Sequence, residues 1–302
     1  MEGKIETHVT LGYRCNQHCK HCVVQVRRSR CEANGTEELS LEAAENQIVN
    51  TARLGIKRIV LTGGEPTIWP DIIELVQFCL CQGCKVQIQT NGSKPDIVQS
   101  ICEESRKNLT QLEFMIPIHS MVEKEHNEIC GSNTGFKNTI QSLRYLNSVG
   151  ATIIGKIVLT KMTGDITQIY NFYESVNAAS IIIAYPHCVH FNDNMVRNTD
   201  LTREQTRTIF NNFYSNSHKT SIILQAFPRC FTNDVKEAIY QEEMPEFLSL
   251  CVIEHQLRDE DGKQWHIYRK LDKRKATECN DCKYNDKCEG IWKEYLRVYG
   301  TF

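Results

Sequence analysis

The sequence lacks the features of membrane and exported proteins. No stretch approaches the roughly 18 consecutive apolar residues that a membrane-spanning helix needs. Residues 1–12 contain no apolar segment flanked by basic residues, so we see no signal peptide. The formal net charge is only −2, which favours neither a nucleic acid nor a membrane surface as a partner. We therefore expect a cytoplasmic protein.

Internal repeats and low-complexity linkers are also absent. The length of 302 residues suffices for one large α/β domain, alone or with a small extra module. The chain does contain apolar strands that alternate with amphipathic helices, six times over residues 1–190. Such alternation indicates right-handed βαβ crossovers and a parallel sheet. Residues 23–35 are basic and polar, and we predict a loop there.

Distinctive loops follow the predicted strands. Ligands of parallel sheets bind beyond the carboxyl ends of the strands, and the loops at those ends therefore predict one shared binding site. They are Cys15–Cys22, Gly63–Pro66, Thr90–Gly92, His119–Ser120 and Tyr185–Pro186.

Cysteine is frequent, with 15 residues. Because the chain is long and has no export signal, we expect reduced thiols that either ligate metal or fill the core. Cys15, Cys19 and Cys22 form a C-x3-C-x2-C pattern directly after the first strand. A cubane iron–sulfur cluster normally takes four thiolates. Three thiolates on one loop therefore indicate a 4Fe–4S site with one iron open to another ligand.

This cysteine loop, followed by Gly63-Gly64-Glu65-Pro66, resembles the radical S-adenosylmethionine (SAM) superfamily over residues 1 to about 190. His21 departs from the family pattern, since many members carry Tyr or Phe there. The resemblance implies a partial (β/α)6 TIM-like barrel as a core over residues 1–200. It also implies that the amino and carboxylate groups of SAM chelate the open iron. An electron from the cluster would then cleave SAM to a 5′-deoxyadenosyl radical, which abstracts a substrate hydrogen.

The resemblance further implies which residues contact SAM. Residues 63–65 should present backbone groups to its methionine amino nitrogen, with the glycines allowing a close backbone approach and Pro66 fixing the turn. Weaker candidates are polar residues at other strand ends, and each is open to the alternative that it satisfies local backbone groups. These weaker candidates are Thr90, Asn91, Ser120, Lys156 and Tyr185.

No catalytic residue is assigned from the sequence. Cys31 and Cys188 lie in predicted loops at the carboxyl edge, where either could donate a hydrogen atom to a product radical; an inert thiol is the alternative. Cys102 and Cys130 are expected to be structural.

The C-terminal cysteines form a second pattern, Cys279-x2-Cys282-x5-Cys288. With Pro228-x-Cys230 upstream, it resembles the twitch-type form of the SPASM extension, which houses an auxiliary 4Fe–4S cluster. We therefore predict an extension over residues 201–302 with Cys230, Cys279, Cys282 and Cys288 as ligands. Cys251 is the alternative to Cys288 as a ligand. We favour Cys288, because its close spacing to Cys279 and Cys282 lowers the entropic cost of a joint site. Structural zinc is the alternative metal.

The resemblance favours post-translational modification of a ribosomally synthesised peptide, by crosslinking, thioether formation or epimerisation. Since the first strand begins within about six residues of Met1, we expect either a separate leader-peptide-binding protein or a small-molecule substrate. The small-molecule alternative is oxidation or rearrangement of a sugar, nucleoside or cofactor precursor. The remaining alternative, a non-catalytic metal-cluster scaffold, is disfavoured by the intact motifs. An external flavodoxin- or ferredoxin-like electron donor is also implied.

Overall fold

The structure is a computed structural model that describes residues 6–35, 38–187, 191–233, 235–241, 253–255 and 271–300. Its centre is a sheet of nine strands in the order β8-β7-β6-β5-β4-β3-β2-β1-β9, with every neighbouring pair parallel. The strands are β1 (Glu6–Thr10), β2 (Arg58–Thr62), β3 (Lys85–Gln89), β4 (Leu112–Pro117), β5 (Thr152–Val158), β6 (Ser180–Ala184), β7 (Ile222–Gln225), β8 (Ile239–Tyr240) and β9 (Ile253–His255). A separate antiparallel pair joins β10 (Lys273–Arg274) to β11 (Ile291–Trp292).

Helices lie between most of the strands. They are α1 (Gln25–Asn34), α2 (Leu41–Arg53), α3 (Ile72–Cys81), α4 (Pro95–Glu104), α5 (Glu123–Cys130), α6 (Gly135–Val149), α7 (Ile166–Ser175), α8 (Asp193–Thr199), α9 (Arg203–Phe213) and α10 (Lys293–Tyr299). None of the helices in the described ranges combines the length and the apolar character that crossing a bilayer requires.

The local sequence explains why these elements form. Ile59, Val60 and Leu61 of β2 are fully buried although they point to alternate faces, as expected for a parallel strand covered on both sides. Ser40 begins α2 by accepting a hydrogen bond from the Ala43 N–H at 3.2 Å, and serine is among the residues preferred at this N-cap position. Apolar side chains of the strands and of the facing helices form one continuous core.

The six predicted strand–helix units are confirmed, and the described strands extend them. They run in a linear order from β8 to β9, which gives a partial α/β barrel that stays open in this part of the chain. β7 pairs with β6 and therefore continues the same sheet beyond residue 200. The predicted division into a core of residues 1–200 and an extension of residues 201–302 stays a prediction.

Two local expectations were wrong. Residues 25–34 form α1 rather than a loop. The helix contains few apolar residues and therefore shows no apolar stripe in the sequence, and Arg28 ties it to the cysteine loop. The sequence also predicts a closing helix over Gly290–Tyr299, but this helix starts at Lys293, since residues 291–292 pair with β10. A further sequence prediction, a strand over residues 263–269, lies outside the described residues.

The segment 271–300 packs over the carboxyl ends of β6 and β7. Tyr295 of α10 makes edge contacts with Tyr185, which follows β6, and with Phe231, at ring-centroid distances of 6.4 and 5.6 Å. Arg297 donates a hydrogen bond to Asp193 of α8 at 2.7 Å. The C-terminal cysteines are therefore brought to the same edge of the sheet as the cysteine loop.

Candidate metal and cofactor site

The cysteine loop follows β1 and is fixed by backbone hydrogen bonds to α5. The His18 N–H donates to Cys130 O at 2.8 Å, and the Lys20 N–H donates to Ile129 O at 3.0 Å. Carbonyls in the last turn of a helix have no partner within the helix, and here the loop supplies the donors. Cys19 lies between these two bonds and is thus held against the end of α5.

Arg28 of α1 clamps the other side of the loop. Its Nη1 donates to Gln17 O and its Nη2 to His18 Nε2, both at 2.9 Å. An ion pair with Glu32, one helical turn away, holds the guanidinium in place at 3.0 Å. The helix that we expected to be a loop is therefore the brace of the predicted cluster site.

The three sulfurs of the loop lie close enough to influence one another. Burial, together with the charges of Glu65, Cys19 and Cys22, raises the pKa of Cys15 to about 12. Burial and the charge of Cys19 likewise raise the pKa of Cys22. Half-buried thiols gathered in this way disfavour the thiolate form, and the charge of Arg28 only partly opposes this at Cys22. A bound metal cluster removes that penalty.

Gly63 and Gly64 seat the motif after β2 directly on the cysteine loop. A Cβ at Gly64 would lie 2.0 Å from Arg14 O, and one at Gly63 would lie 2.2 Å from Gly12 O. The Gly64 N–H donates to Gly12 O at 2.8 Å, and the Glu65 N–H to Arg14 O at 2.9 Å. The close approach that requires glycine is therefore between two protein loops; a backbone contact with SAM stays a prediction.

The Glu65 carboxylate ties the end of β2 to the end of β3. It is 3% exposed. Its Oε1 accepts hydrogen bonds from Thr67 N at 2.9 Å, Thr67 Oγ1 at 2.6 Å and Thr90 Oγ1 at 2.5 Å. Its Oε2 accepts one from Asn91 N at 2.6 Å. Burial raises the pKa of Glu65, while these hydrogen bonds oppose the rise. Pro66 begins the short 3-10 helix that brings Thr67 to the carboxylate.

Asn91 reaches from this network to the cysteine loop. Its Nδ2 donates to Asn16 Oδ1 at 3.0 Å and approaches Cys15 Sγ at 3.8 Å. The Gln17 N–H also points at Cys15 Sγ, at 3.4 Å. N–H groups directed at a sulfur suit a ligating thiolate, which can only accept hydrogen bonds. The structure thus brings residues 63–66, Thr90 and Asn91 to the cysteine loop.

The other predicted SAM contacts have partners of their own. Ser120 Oγ donates to Glu125 Oε2 at 2.6 Å and accepts from Val122 N at 3.0 Å, so it stabilises the start of α5. Lys156 Nζ donates to Gln225 Oε1. Tyr185 is fully buried, and its hydroxyl donates to Leu201 O at 2.8 Å. The roles of these three residues toward SAM stay predictions.

Residues that the sequence did not assign also border the loop. A ring nitrogen of His119 and the sulfurs of Cys19 and Cys130 all lie within 4.8 Å of one another. His119 stacks edge-on to His21 at 4.7 Å and lies 5.3 Å from His126. Cys130 was expected to be structural only, and the one available signal was that His119 follows a strand.

Four cysteines surround a single cavity in the C-terminal part. Cys230, from the turn after β7, lines a small cavity together with Cys279, Cys282 and Cys288. Burial, then the charges of Cys288 and Cys279, raises the pKa of Cys230 to about 12. The Cys282 N–H donates to Cys279 O at 3.1 Å, which forms the C-x2-C turn.

Three further cysteine predictions stay predictions. Cys31 lies on α1, half-buried. Cys188 and Cys251 lie outside the described residues, so the structure offers no comparison of Cys251 with Cys288. The 13 described cysteines are all free of disulfides.

Both groups fit the predicted iron–sulfur ligation. Cys15, Cys19 and Cys22 supply three gathered thiols beside the hydrogen-bond network of Glu65 and Asn91, which suits a cubane whose fourth iron binds an exchangeable ligand. The C-terminal group supplies four thiols around one cavity, which suits either a second cubane or a tetrahedral zinc ion.

Sequence comparison finds relatives for the core. A family model described as the Radical SAM superfamily matches residues 9–172. The AdoMet-dependent heme synthase of Methanosarcina barkeri is 24% identical over 55% of this chain and 46% of its own length. The Fe-coproporphyrin III synthase of the same organism is 26% identical over 64% of this chain and 47% of its own length. The chain thus spans about half the length of these curated relatives.

Structure comparison extends the likeness to the whole chain. Streptococcus suis SuiB bound to precursor peptide SuiA superposes with a TM-score of 0.64 at 16% identity, covering 100% of this chain and 74% of that one. The enzyme anSMEcpe with bound AdoMet and Kp18Cys peptide superposes with a TM-score of 0.58 at 11% identity, covering 98% and 95%. At these identities the likeness shows a shared fold.

Proposed function

Since the chain belongs to the radical SAM superfamily, we propose that Cys15, Cys19 and Cys22 hold three irons of a 4Fe–4S cluster whose fourth iron binds SAM. When bound, these groups supply a 5′-deoxyadenosyl radical that abstracts hydrogen from a substrate carbon. The observation that carries this proposal is the gathering of the three thiols, the Gly63–Gly64 turn and the Glu65 network at one edge of the sheet.

The chain's own residues position and shield these groups. Arg28 and the end of α5 fix the cysteine loop from opposite sides. Glu65 fixes the ends of β2 and β3, where residues 63–66, Thr90 and Asn91 would face SAM. Ser120, Lys156 and Tyr185 are further candidates for contacts with it. Fixed geometry of this kind is what a protein contributes when the cofactor carries the chemistry.

We also propose an auxiliary 4Fe–4S cluster on Cys230, Cys279, Cys282 and Cys288 within the extension of residues 201–302. Its support is that all four residues line one cavity. The zinc alternative would use the same four ligands.

Anaerobic reconstitution with iron and sulfide tests both sites. We expect about eight irons per chain, and about four after Cys282→Ala or after Cys15→Ala. Buried Cys102, which lies on α4, supplies the matched control Cys102→Ala, which should retain all the iron. A wild-type count near four, with one zinc per chain, would replace the auxiliary cluster by zinc. Absence of 5′-deoxyadenosine from the reconstituted protein with SAM and dithionite would refute the enzyme proposal.

Peptide modification is the reaction class that we propose. Its support is the match of fold over 98% or more of the chain to SuiB and anSMEcpe, whose structures contain peptides. In this role an external flavodoxin- or ferredoxin-like protein delivers electrons, and a separate protein binds the leader peptide. The alternative is a small-molecule substrate, which is favoured by the names of the two curated relatives, both synthases of iron porphyrins.

The two substrate classes can be separated with a heat-treated extract of the native host. Ultrafiltration gives a peptide-sized and a metabolite-sized fraction, each of which is added to the reconstituted protein. We expect the peptide-sized fraction to stimulate 5′-deoxyadenosine formation and protease digestion to abolish the stimulation. Protease-resistant stimulation confined to the metabolite-sized fraction would favour the small-molecule alternative instead.

A further inference from the structure

The sulfur of Cys19 has polar neighbours that neither cysteine motif contains. Cys130 Sγ and a ring nitrogen of His119 lie within 4.8 Å of it and of each other. Both neighbours are buried, at 1% and 3% exposure. Cys15 and Cys22 have no such pair of side chains in the part of the chain that the structure describes.

The fold fixes this contact rather than leaving it to a mobile side chain. Cys130 ends α5, and its carbonyl accepts the His18 N–H at 2.8 Å. Gly131 follows with φ +60°, and a Cβ there would meet His18 Cβ at 3.1 Å. The helix end and the cysteine loop are therefore in direct contact. His119 comes from the end of β4, and its backbone N–H bonds to His126 Nδ1 at 3.4 Å.

The direction of hydrogen bonding follows from the state of Cys19. In the thiol form Cys19 donates to Gln17 Oε1 at 3.7 Å. A metal-ligating cysteine is a thiolate, which has no proton to donate and can only accept. The Cys130 thiol carries one proton, and a neutral imidazole carries one N–H.

Buried polar atoms around Cys19 that have no hydrogen-bond partner support donation toward the Cys19 sulfur. His119 Nδ1, His21 Nδ1 and Gln17 Nε2 are buried and have no hydrogen-bond partner among the described residues. Buried polar atoms usually have a partner, and the Gln17 NH2 group can only donate, so an acceptor is missing beside it. The sulfur of a ligated Cys19, with the cluster behind it, is such an acceptor.

We propose that Cys130 and His119 donate hydrogen bonds to the ligated Cys19 sulfur and thereby raise the reduction potential of the SAM-binding cluster. The inference rests on the proposed ligation by Cys19. Reduction adds negative charge to the cluster and its sulfurs, so a donor aimed at one sulfur stabilises the reduced form more than the oxidised form. Hydrogen bonds to the sulfurs are among the factors that set cluster potentials. Cys130 and His119 are positioning residues in this role and ligate no iron.

The test is an EPR-monitored redox titration of the reconstituted full chain with and without SAM. For Cys130→Ala we expect the ratio of reduced to oxidised SAM-binding cluster at a fixed poise to fall about tenfold, which equals 59 mV for one electron. Cys130→Ser keeps a donor at this position and should return the ratio to within a factor of about two of wild type. His119→Phe keeps the ring and removes the nitrogens, and should lower the ratio as well.

Controls separate this effect from general damage. Cys102→Ala removes a buried thiol on α4 away from the loop and should not change the ratio. The auxiliary cluster in each variant is an internal reference, and its potential should stay constant. The iron count of Cys130→Ala should equal that of wild type.

Several results would overturn the inference. An unchanged ratio in Cys130→Ala, or an equal fall in the Ala and Ser variants, would show that no donated hydrogen bond is involved. A loss of about four irons, or of a bound zinc ion, would make Cys130 a metal ligand. If wild type shows no cluster signal that responds to SAM, the proposed function itself fails, which is a different result from a responsive cluster with an unchanged potential.

Discussion

Gly64→Ala should separate the two loops that form the candidate site. The new Cβ would lie 2.0 Å from Arg14 O and 2.5 Å from Tyr13 O, both of which are backbone atoms that cannot rotate away. Relief requires the turn after β2 to move by more than 1 Å, since ordinary contacts begin at 3.4 Å. That movement breaks the hydrogen bond from Gly64 N to Gly12 O and the bond from Glu65 N to Arg14 O.

The expected cost can be estimated from these two effects. Overpacking at a rigid site costs about 1–3 kcal/mol, and two lost backbone hydrogen bonds cost about 1 kcal/mol each. The sum is about 3–5 kcal/mol in the free energy of unfolding, or of local opening if the loops separate alone. Backbone strain adds nothing, because Gly64 is not among the glycines with positive φ.

Gly83→Ala is the matched control. Gly83 has φ +72° and nothing within 4 Å of an added Cβ, so its substitution introduces conformational strain of about 1–2 kcal/mol without a clash. Urea unfolding of both variants and iron content after reconstitution make the comparison. Gly64→Ala should be the less stable of the two and should lose the iron of the SAM-binding cluster. Equal stability of the two variants together with a full iron count would refute the close contact between Gly64 and the backbone of residues 12–14.

Three further substitutions test the supports of the site and of the opposite edge of the sheet. Arg28→Ala should lower iron retention, because Arg28, unlike Arg144, bonds to Gln17 O and to His18 Nε2. The control Arg144→Ala, an exposed change on α6, should not lower it. Equal iron retention in the two variants would contradict the role of Arg28 as a clamp. Glu65→Gln should lower the free energy of unfolding, measured in urea, by about 1–3 kcal/mol, because an amide NH2 then faces the buried Asn91 or Thr67 donors. The control Glu103→Gln, at an exposed position, should leave urea unfolding unchanged. Burial alone raises the pKa of Glu113, but hydrogen bonds from Arg58 and Lys85 outweigh it and lower the pKa below the ordinary 4.5. The stability from this carboxylate is therefore present above about pH 4.5 and lost as the pH falls through the lowered pKa. The difference in free energy of unfolding between wild type and Glu113→Gln, measured in urea, should therefore shrink on acidification. A difference that stays constant with pH would contradict the ion pairs.

The succession of strands and helices along the chain was predictable because short apolar runs of β-branched residues, such as residues 58–62, alternate with amphipathic helices. That pattern placed the cysteine loop, the Gly63–Pro66 turn and the Thr90–Asn91 strand end at one edge. It failed for α1, since a helix whose side chains bond to a polar loop shows no apolar stripe. It also gave no indication that β7 to β9 extend the sheet on both sides.

The roles of single residues were less predictable than their positions. Glycine at 63 and 64 is expected to admit a ligand, which stays a prediction. The structure shows in addition that it admits the backbone of residues 12–14. Glu65 was expected to act through its backbone, and the structure shows a carboxylate with four donors from the ends of two strands. Such contacts depend on distances between strand ends, which spacing along the chain does not specify.

By itself, the sequence determined the family and led to the proposed metal-binding chemistry, because the spacing of Cys15, Cys19 and Cys22 and the order of the motifs are local properties of the chain. Only the tertiary structure decided what surrounds those thiols. It brought Cys130 and His119 to within 4.8 Å of Cys19 from positions about a hundred residues away, and it gathered Cys230 with Cys279, Cys282 and Cys288. The physical reason is that a parallel sheet aligns the carboxyl ends of distant strands at one edge, where residues far apart in sequence become neighbours.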